Sequence, residues 1–310
     1  MTLDLTKKIP LLERIGFLKK YSLYLKQIDF KVDPVLWIIL SFLVSFVVGA
    51  AIILLVPELW QLGIIMFLVI ADIMIGYPYL KASQRIDDIE RNLSDALKQM
   101  ADTLRAGGTY EYALREVASA EYGYLKKEIN TVLRKLEEGD NFETALSSLS
   151  QNVDSRLVKR TVTIIIDSVK AGAGLADILD EISEDVRAIH RINAERKTRT
   201  ILQVLFMVAA GGFVAPLIFG FVATISSVLI STAAKISKDQ LIIQRAESAS
   251  SIINLGIQIY LLVEVFAASL VIAIMREGRI SKSIIYFPIL LLVAYTTYIL
   301  GQLLSMNLVS

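Results

Sequence analysis

Five stretches of this chain are long, apolar and almost free of charge, and they constrain its fold more than any motif does. They are Val35–Val56, Trp60–Leu80, Ile201–Ile230, Ile252–Met275 and Ile284–Leu304. About 20 apolar residues in a helix cross the roughly 30 Å of a bilayer's hydrocarbon. Each run meets that length, with Asp72 the single interruption of the second and Glu264 of the fourth. Segments of ordinary soluble composition separate the runs, so the 55% hydrophobic content is clustered. The fold class expected is all-α: a polytopic membrane protein with a helical domain in water.

The Lys and Arg positions orient the spans, because cytoplasmic flanks carry the excess. Residues 1–34 hold seven, 81–199 hold nineteen and the link 276–283 holds three. The Pro57-Glu58 turn and the tail after Leu304 hold none, and 231–251 spreads three over a longer stretch. The organisation expected is a cytoplasmic amphipathic segment at 1–34, two spans within 35–80 and a cytoplasmic domain at 81–199. A third span follows at 200–230, then an extracytoplasmic loop at 231–251, two spans within 252–304 and a tail at 305–310. This places the protein in the cell membrane with its C-terminus outside. The segment before the first span sets Leu11, Leu12, Ile15, Leu18 and Leu25 among Lys19, Lys20 and Lys26. It suits a helix lying on membrane lipids or one packed on the cytoplasmic domain.

Within 81–199 the apolar period is helical: Leu93, Ala96, Leu97, Met100, Ala101 and Leu104 share one face. Leu125, Ile129, Val132, Leu133 and Leu136 repeat that spacing, as do Leu175, Ile178, Leu179, Ile182, Val186 and Ile189. No useful stretch alternates with period two, and the domain reads as a six-helix bundle built from hairpins. The block Leu104–Leu114 is echoed at Leu136–Leu146 and more loosely at Val169–Leu179. Each copy ends a helix on a glycine (Gly107, Gly139, Gly172), the residue that adopts the left-handed conformation at little cost. Thr109 and Asn141 suit the next N-cap, Glu111 and Glu143 the positive first turn. Tyr110, Phe142 and Leu175 are expected to be buried anchors.

These residues carry a family resemblance. The run Asp95-Ala-Leu-Lys-Gln-Met-Ala-Asp-Thr-Leu-Arg-Ala-Gly-Gly-Thr-Tyr-Glu-Tyr-Ala-Leu114 resembles the start of the type II secretion system F domain. The blocks Glu138–Leu146 and Lys170–Leu179 resemble its later segments in the right order, and a basic run from Arg187 to Arg199 then enters a span. The similarity covers roughly residues 90–225. It implies an inner-membrane platform protein of the type II secretion, type IV pilus, Tad or archaellum kind. The partners it implies are a hexameric assembly ATPase and pilin-like subunits. Many members carry the domain twice and this chain once, as in the shorter Tad-type and archaeal subunits, which implies a homodimer or pairing with a related subunit. Arg156, Lys159 and Arg160 lie away from the expected membrane and are candidate ATPase contacts.

Little in the chain points to covalent chemistry. There is no cysteine, no His-Glu-x-x-His helix, no Gly-x-Ser-x-Gly elbow and no Gly-x-Gly-Asp with paired intramembrane aspartates. The lone histidine, His190, reads as a surface residue. No enzyme activity and no cofactor are expected. The 32 basic and 31 acidic residues give no electrostatic case for nucleic acid. Asp72 and Glu264 must face protein or water, because a carboxylate at mid-membrane costs at least about 3 kcal/mol. Each reads as a partner in helix packing or a polar contact for a pilin helix. Gly211, Gly212 and Pro216 read either as a bend in the third span or, with Ala215 and Gly220, as a close helix interface. The rival class is a transporter or channel subunit with a cytoplasmic regulatory domain, which predicts matched inverted repeats and several intramembrane polar groups.

Overall fold

The structure, a computed structural model, describes residues 21–22, 24–25, 30, 32–57, 60–171, 174–237 and 240–309. The amphipathic segment through Lys20, Glu58 of the first turn and the third turn glycine, Gly172, lie outside the described residues. Among the described residues there is no strand. The helices are α1 (Pro34–Leu55), α2 (Trp60–Arg105), α3 (Tyr110–Ser119), α4 (Gly123–Glu137), α5 (Phe142–Asn152), α6 (Arg156–Lys170) and α7 (Leu175–Arg199). Then come α8 (Ile201–Met207), a π-helical segment (Val208–Val214), α9 (Ala215–Ser237), α10 (Gln240–Glu277), a 3₁₀ turn (Ile280–Lys282) and α11 (Ser283–Val309). Two compact units result: Met1–Leu80 with Arg196–Ser310, and Lys81–Glu195.

The first unit is a membrane protein's. Five helices are long and apolar enough to cross a bilayer: Pro34–Leu55, the one within Trp60–Arg105, Ile201–Ala233, Ile243–Glu277 and Ile280–Leu308. α1 begins where Asp33 accepts a hydrogen bond from the Val35 amide and Pro34 occupies the first turn, a position that needs no donor. Its buried stripe is Ser41, Ser45 and Gly49, while Leu36, Ile39, Leu43 and Phe46 are exposed. That inverts the soluble pattern, as lipid-facing helices do. Gly49 and Gly63 let α1 and α2 approach closely, a Cβ on Gly49 meeting the Gly63 carbonyl at 2.8 Å. The main apolar core joins Ile65 and Val69 of α2, Ile257, Leu261 and Val265 of α10, and Leu290, Leu291, Ala294 and Tyr298 of α11.

The segment 231–251, expected to be a loop, is helical instead: α9 runs to Ser237 and α10 starts at Gln240. It contains no glycine or proline, and its Ala, Ile and Gln residues favour helix. Falling hydropathy there marks the end of the apolar run without ending the helix.

The Lys81–Glu195 unit is organised along the second half of α2, which contributes Ile86, Ile89, Leu93, Ala96, Leu97 and Met100 to one core with Leu114, Leu125, Val132, Leu146, Val158, Ile165 and Leu179. The polar residues of α2 fix its neighbours. Asp88 accepts from the Tyr124 amide and caps α4, whose first residue, Gly123, has φ +54°. Glu90 accepts from Ser155, whose hydroxyl also accepts from the Val158 amide and caps α6. Arg85 pairs with Glu128 of α4 at 2.6 Å, and Asn152 at the end of α5 donates to the other Glu128 oxygen at 3.1 Å. The repeated turns follow the left-handed glycine design at Gly107 (φ +87°) and Gly139 (φ +96°), with Thr109 and Asn141 capping through the Tyr112 and Thr144 amides. The expected burial of Tyr110 is corrected: its ring is exposed and meets Phe142 edge to face at 4.9 Å. The two repeats thus brace each other through these rings.

α7 is held to α2 by ions. Lys98 reaches Asp180 at 2.7 Å, and Arg105 reaches Asp180 at 2.7 Å and Asp177 at 3.0 Å. His190, expected at the surface, is half-buried, with Nε2 2.8 Å from the Glu90 carbonyl. A carbonyl only accepts, so this contact selects the Nε2–H tautomer.

Two outcomes test this organisation. Glu128 is 4% exposed, so Glu128→Ala removes its buried ion pair with Arg85 and its hydrogen bond from Asn152 and lowers stability by about 3–5 kcal/mol. Denaturant unfolding with hydrogen exchange across 81–195 measures this. The Lys98 ammonium, and then Arg105, hold Asp180 below the ordinary carboxylate range. Its stabilisation is therefore complete above that range and is lost as pH falls through the depressed value. Asp180→Asn is predicted to differ from wild type at neutral pH and to converge with it in acid, as read by thermal unfolding.

Candidate functional site

The spanning helices are uncharged through most of their length, so their few polar groups define where anything other than packing can happen. In the unit that contains the spans these groups collect in three places. At one end, Tyr79 donates to Ser281 at 2.6 Å, and the Tyr24 ring stands edge-on to Tyr79 at 5.3 Å. Lys197 pairs with Glu277 at 3.0 Å, and the nearly buried Lys282 approaches the same oxygen at 3.9 Å. The Arg196 guanidinium lies against Gly278, whose φ is +67° and whose missing Cβ would stand 2.7 Å from Nη1. The basic end of α7 and the basic corner between α10 and α11 therefore meet at this end.

Trp60 and Gln61 line a cleft of about 790 Å³ together with Ser227, Ser231, Ser250, Asn254 and Gln258. Gln61 also accepts a hydrogen bond from Tyr295 at 2.8 Å. These side chains are polar and uncharged. Sequence reasoning missed the cleft, although the signal was present: Ser250, Asn254 and Gln258 recur every four residues, as do Ser227 and Ser231.

Between the two lies the π segment. Gly211 and Gly212 are inside it and Pro216 follows two residues later. The Ala215 amide donates to the Ala210 carbonyl, five residues back. A proline lacks the donor an α-helix requires and crowds the carbonyl four residues before it, so a wider turn ahead of Pro216 relieves both. Glu264 on α10 faces this turn, with Oε1 3.7 Å from the place a Gly211 Cβ would take. The structure brings together Glu264 and the glycines, which the sequence offered separately. Asp72 lies elsewhere on α2, and both Asp72 Oδ2 and Glu264 Oε2 are buried without a hydrogen-bond partner among the described residues. Farther along, Gly220 and Gly301 allow α9 and α11 to touch through backbone, a Cβ on Gly220 falling 2.9 Å from the Gln302 amide.

In the other unit, Arg156, Lys159 and Arg160 all lie exposed in the first turns of α6. Lys159 is paired with Asp154 at 2.6 Å. Arg156 and Arg160 have no ion pair among the described residues. Cations at a helix N-terminus oppose its dipole by roughly 0.3–1 kcal/mol each, so folding does not favour them there. No cluster of three or more metal-ligating side chains occurs among the described residues.

Residues 96–224 match the family described as Type II secretion system (T2SS), protein F. Over this range the chain is similar to a type II secretion F domain. The matched range runs from α2 through the Lys81–Glu195 unit and into the span that holds the π segment. The chain is also similar to an uncharacterized protein of Methanocaldococcus jannaschii, which is 25% identical over 207 residues, covering 62% of this chain and 68% of that one. No solved structure matches the chain. Proteins with this F domain are membrane platform proteins rather than enzymes.

The close α9–α11 contact yields a prediction. Gly220→Leu cannot be accommodated against the Tyr298–Gln302 backbone, and the variant is expected to lose about 2 kcal/mol or more through overpacking. Thermal unfolding in detergent is the measurement, with the exposed Val222→Leu as a neutral control.

Proposed function

We propose that this protein is an inner-membrane platform subunit of a type IV pilus-like or type II secretion-like machine. In this reading the F domain faces the cytoplasm and engages a secretion-type assembly ATPase, and the spans accept pilin-like subunits for insertion into or extraction from a filament base. The observation that carries the reading is the F-domain match, which starts in α2 and ends in the third span, in a chain whose basic α7 end and α10–α11 corner meet at one end of the membrane unit. That meeting supports assigning the basic end to the cytoplasm by the positive-inside bias. The polar cleft at Trp60 and Gln61 then lies toward the outer face.

Arg156 and Arg160 are the proposed ATPase contacts. They are exposed, uncompensated by neighbours and unfavourable to their own helix, which suits an acidic surface on a partner. A single F domain offers one such surface per chain, so a homodimer or a pairing with a related platform subunit supplies a second.

The double variant Arg156→Glu, Arg160→Glu is expected to reduce co-purification of the ATPase encoded with it by at least about tenfold while leaving the unfolding temperature unchanged. Unaltered co-purification removes the contact from the proposal. Protease added to intact cells is expected to spare 81–195, and cleavage there reverses the orientation.

A further inference from the structure

The carboxyl of Glu264 and the interrupted backbone opposite it have complementary deficits. The Ala215 amide is committed to Ala210, and residue 216 has no amide proton. The carbonyls of Gly211 and Gly212 are therefore left with at most one ladder donor between them, the Leu217 amide, so at least one acceptor is left over. In hydrocarbon a polar backbone group without a partner costs several kcal/mol and is re-satisfied from neighbouring helices where it can be. Glu264 is the polar side chain that faces Gly211, with Oε1 against it and Oε2 buried and unpartnered.

No cation is at hand for it. The described spans contain no Lys, Arg or His between Pro34 and Leu80, between Ile201 and Ala233, between Ile252 and Met275, or between Ser283 and Leu308. Besides Glu264, the ionisable groups within the apolar stretches of the packed elements are Asp72, Tyr77 and Tyr79 on α2, Tyr260 on α10, and Tyr286, Tyr295 and Tyr298 on α11. Arg196, Lys197, Arg276, Glu277, Arg279 and Lys282 belong to the basic end, and Lys235 and Arg245 lie beyond the spans' apolar parts. Tyr295 already donates to Gln61, Tyr298 accepts from Gln302, and the Tyr260 ring packs on Phe219.

We propose that Glu264 is a proton-binding site: it holds one proton and donates it in a hydrogen bond to a main-chain carbonyl freed at Gly211–Gly212, latching α10 to the π segment. The proton stays on Glu264, and no group is transferred. Loss of the proton turns a donor into a second acceptor facing carbonyl oxygens, so the latch opens and the π segment loses its external partner. The inference is independent of the proposed ATPase and pilin partners.

The test uses the full chain in lipid nanodiscs. Infrared spectra at neutral pH are expected to contain a protonated-carboxyl C=O band that Glu264→Gln removes and Asp72→Asn retains. Amide exchange across Phe213–Phe219, expressed as protection factors that remove the intrinsic pH dependence of exchange, is expected to lose about fivefold protection as the pH is raised, the loss of one hydrogen bond. Glu264→Gln, whose amide donates without titrating, is expected to show no such loss. Pro216→Ala, which restores the missing amide, is expected to shrink the loss. A pH dependence in Glu264→Gln equal to wild type, a missing carboxyl band, or exchange that follows sodium at fixed pH overturns the proposal.

Discussion

A peptide group in hydrocarbon has no partner except those the protein brings, and the membrane unit follows from that constraint. It makes every described span helical, turns Ser41 and Ser45 inward onto their own helix carbonyls, and leaves Leu, Ile and Phe to the lipid. It also explains why the polar side chains of the spans cluster. A Gln or Asn facing lipid pays a transfer cost that one facing Ser227 or Tyr295 avoids. The exceptions are informative for the same reason. A π segment and a proline are tolerated where α10 covers them and a carboxyl faces the turn.

The Lys81–Glu195 unit solves a different problem, because burial of apolar surface drives its assembly but does not choose partners. Its selectivity comes from α2. The residues of α2 that point away from the core hold its neighbours: Arg85 and Asp88 hold α4, Glu90 holds the start of α6, and Lys98 and Arg105 converge on Asp180 of α7. Glu90 shows the economy of this arrangement. Its carboxylate secures the cap of α6, a helix whose own first turns hold only cations, while its carbonyl receives His190 from α7.

The spans and the repeated turns were legible because both are local. A run of apolar residues needs no distant partner to be recognised, and Gly107 and Gly139 announce their conformation by the residue type alone. What was missed depends on pairing across the chain. Nothing near His190 indicates the Glu90 carbonyl, a hundred residues away. The Tyr110 ring looks like a core anchor until Phe142 is found beside it at the surface. The cleft residues come from three helices, and α9 and α10 extend into 231–251 after the hydropathy that marked the spans has fallen. Glu264 and Gly211 were each recognisable as unusual. Their facing each other is a property of packing.

Under the proposed function, the route by which a motor's work would enter the membrane is narrowed by two chain crossings. Leu80 and Lys81 lie within α2, and Glu195 and Arg196 within α7, so the backbone of the Lys81–Glu195 unit joins the other unit through helix rather than loop at both crossings. A helix transmits axial and torsional displacement that a flexible linker absorbs. Just past the second crossing, Arg196 and Lys197 hold the Glu277–Gly278 corner between α10 and α11. Gly278 has no side chain to separate the guanidinium from that corner. Displacement of α7 is therefore delivered first to the foot of α10, the helix that carries Glu264, and only by way of Thr200 and α8 to the π segment. Under the proposed function, two connected paths from the F domain converge on the Glu264–Gly211 contact, and a contact of one hydrogen bond is weak enough for such a displacement to change.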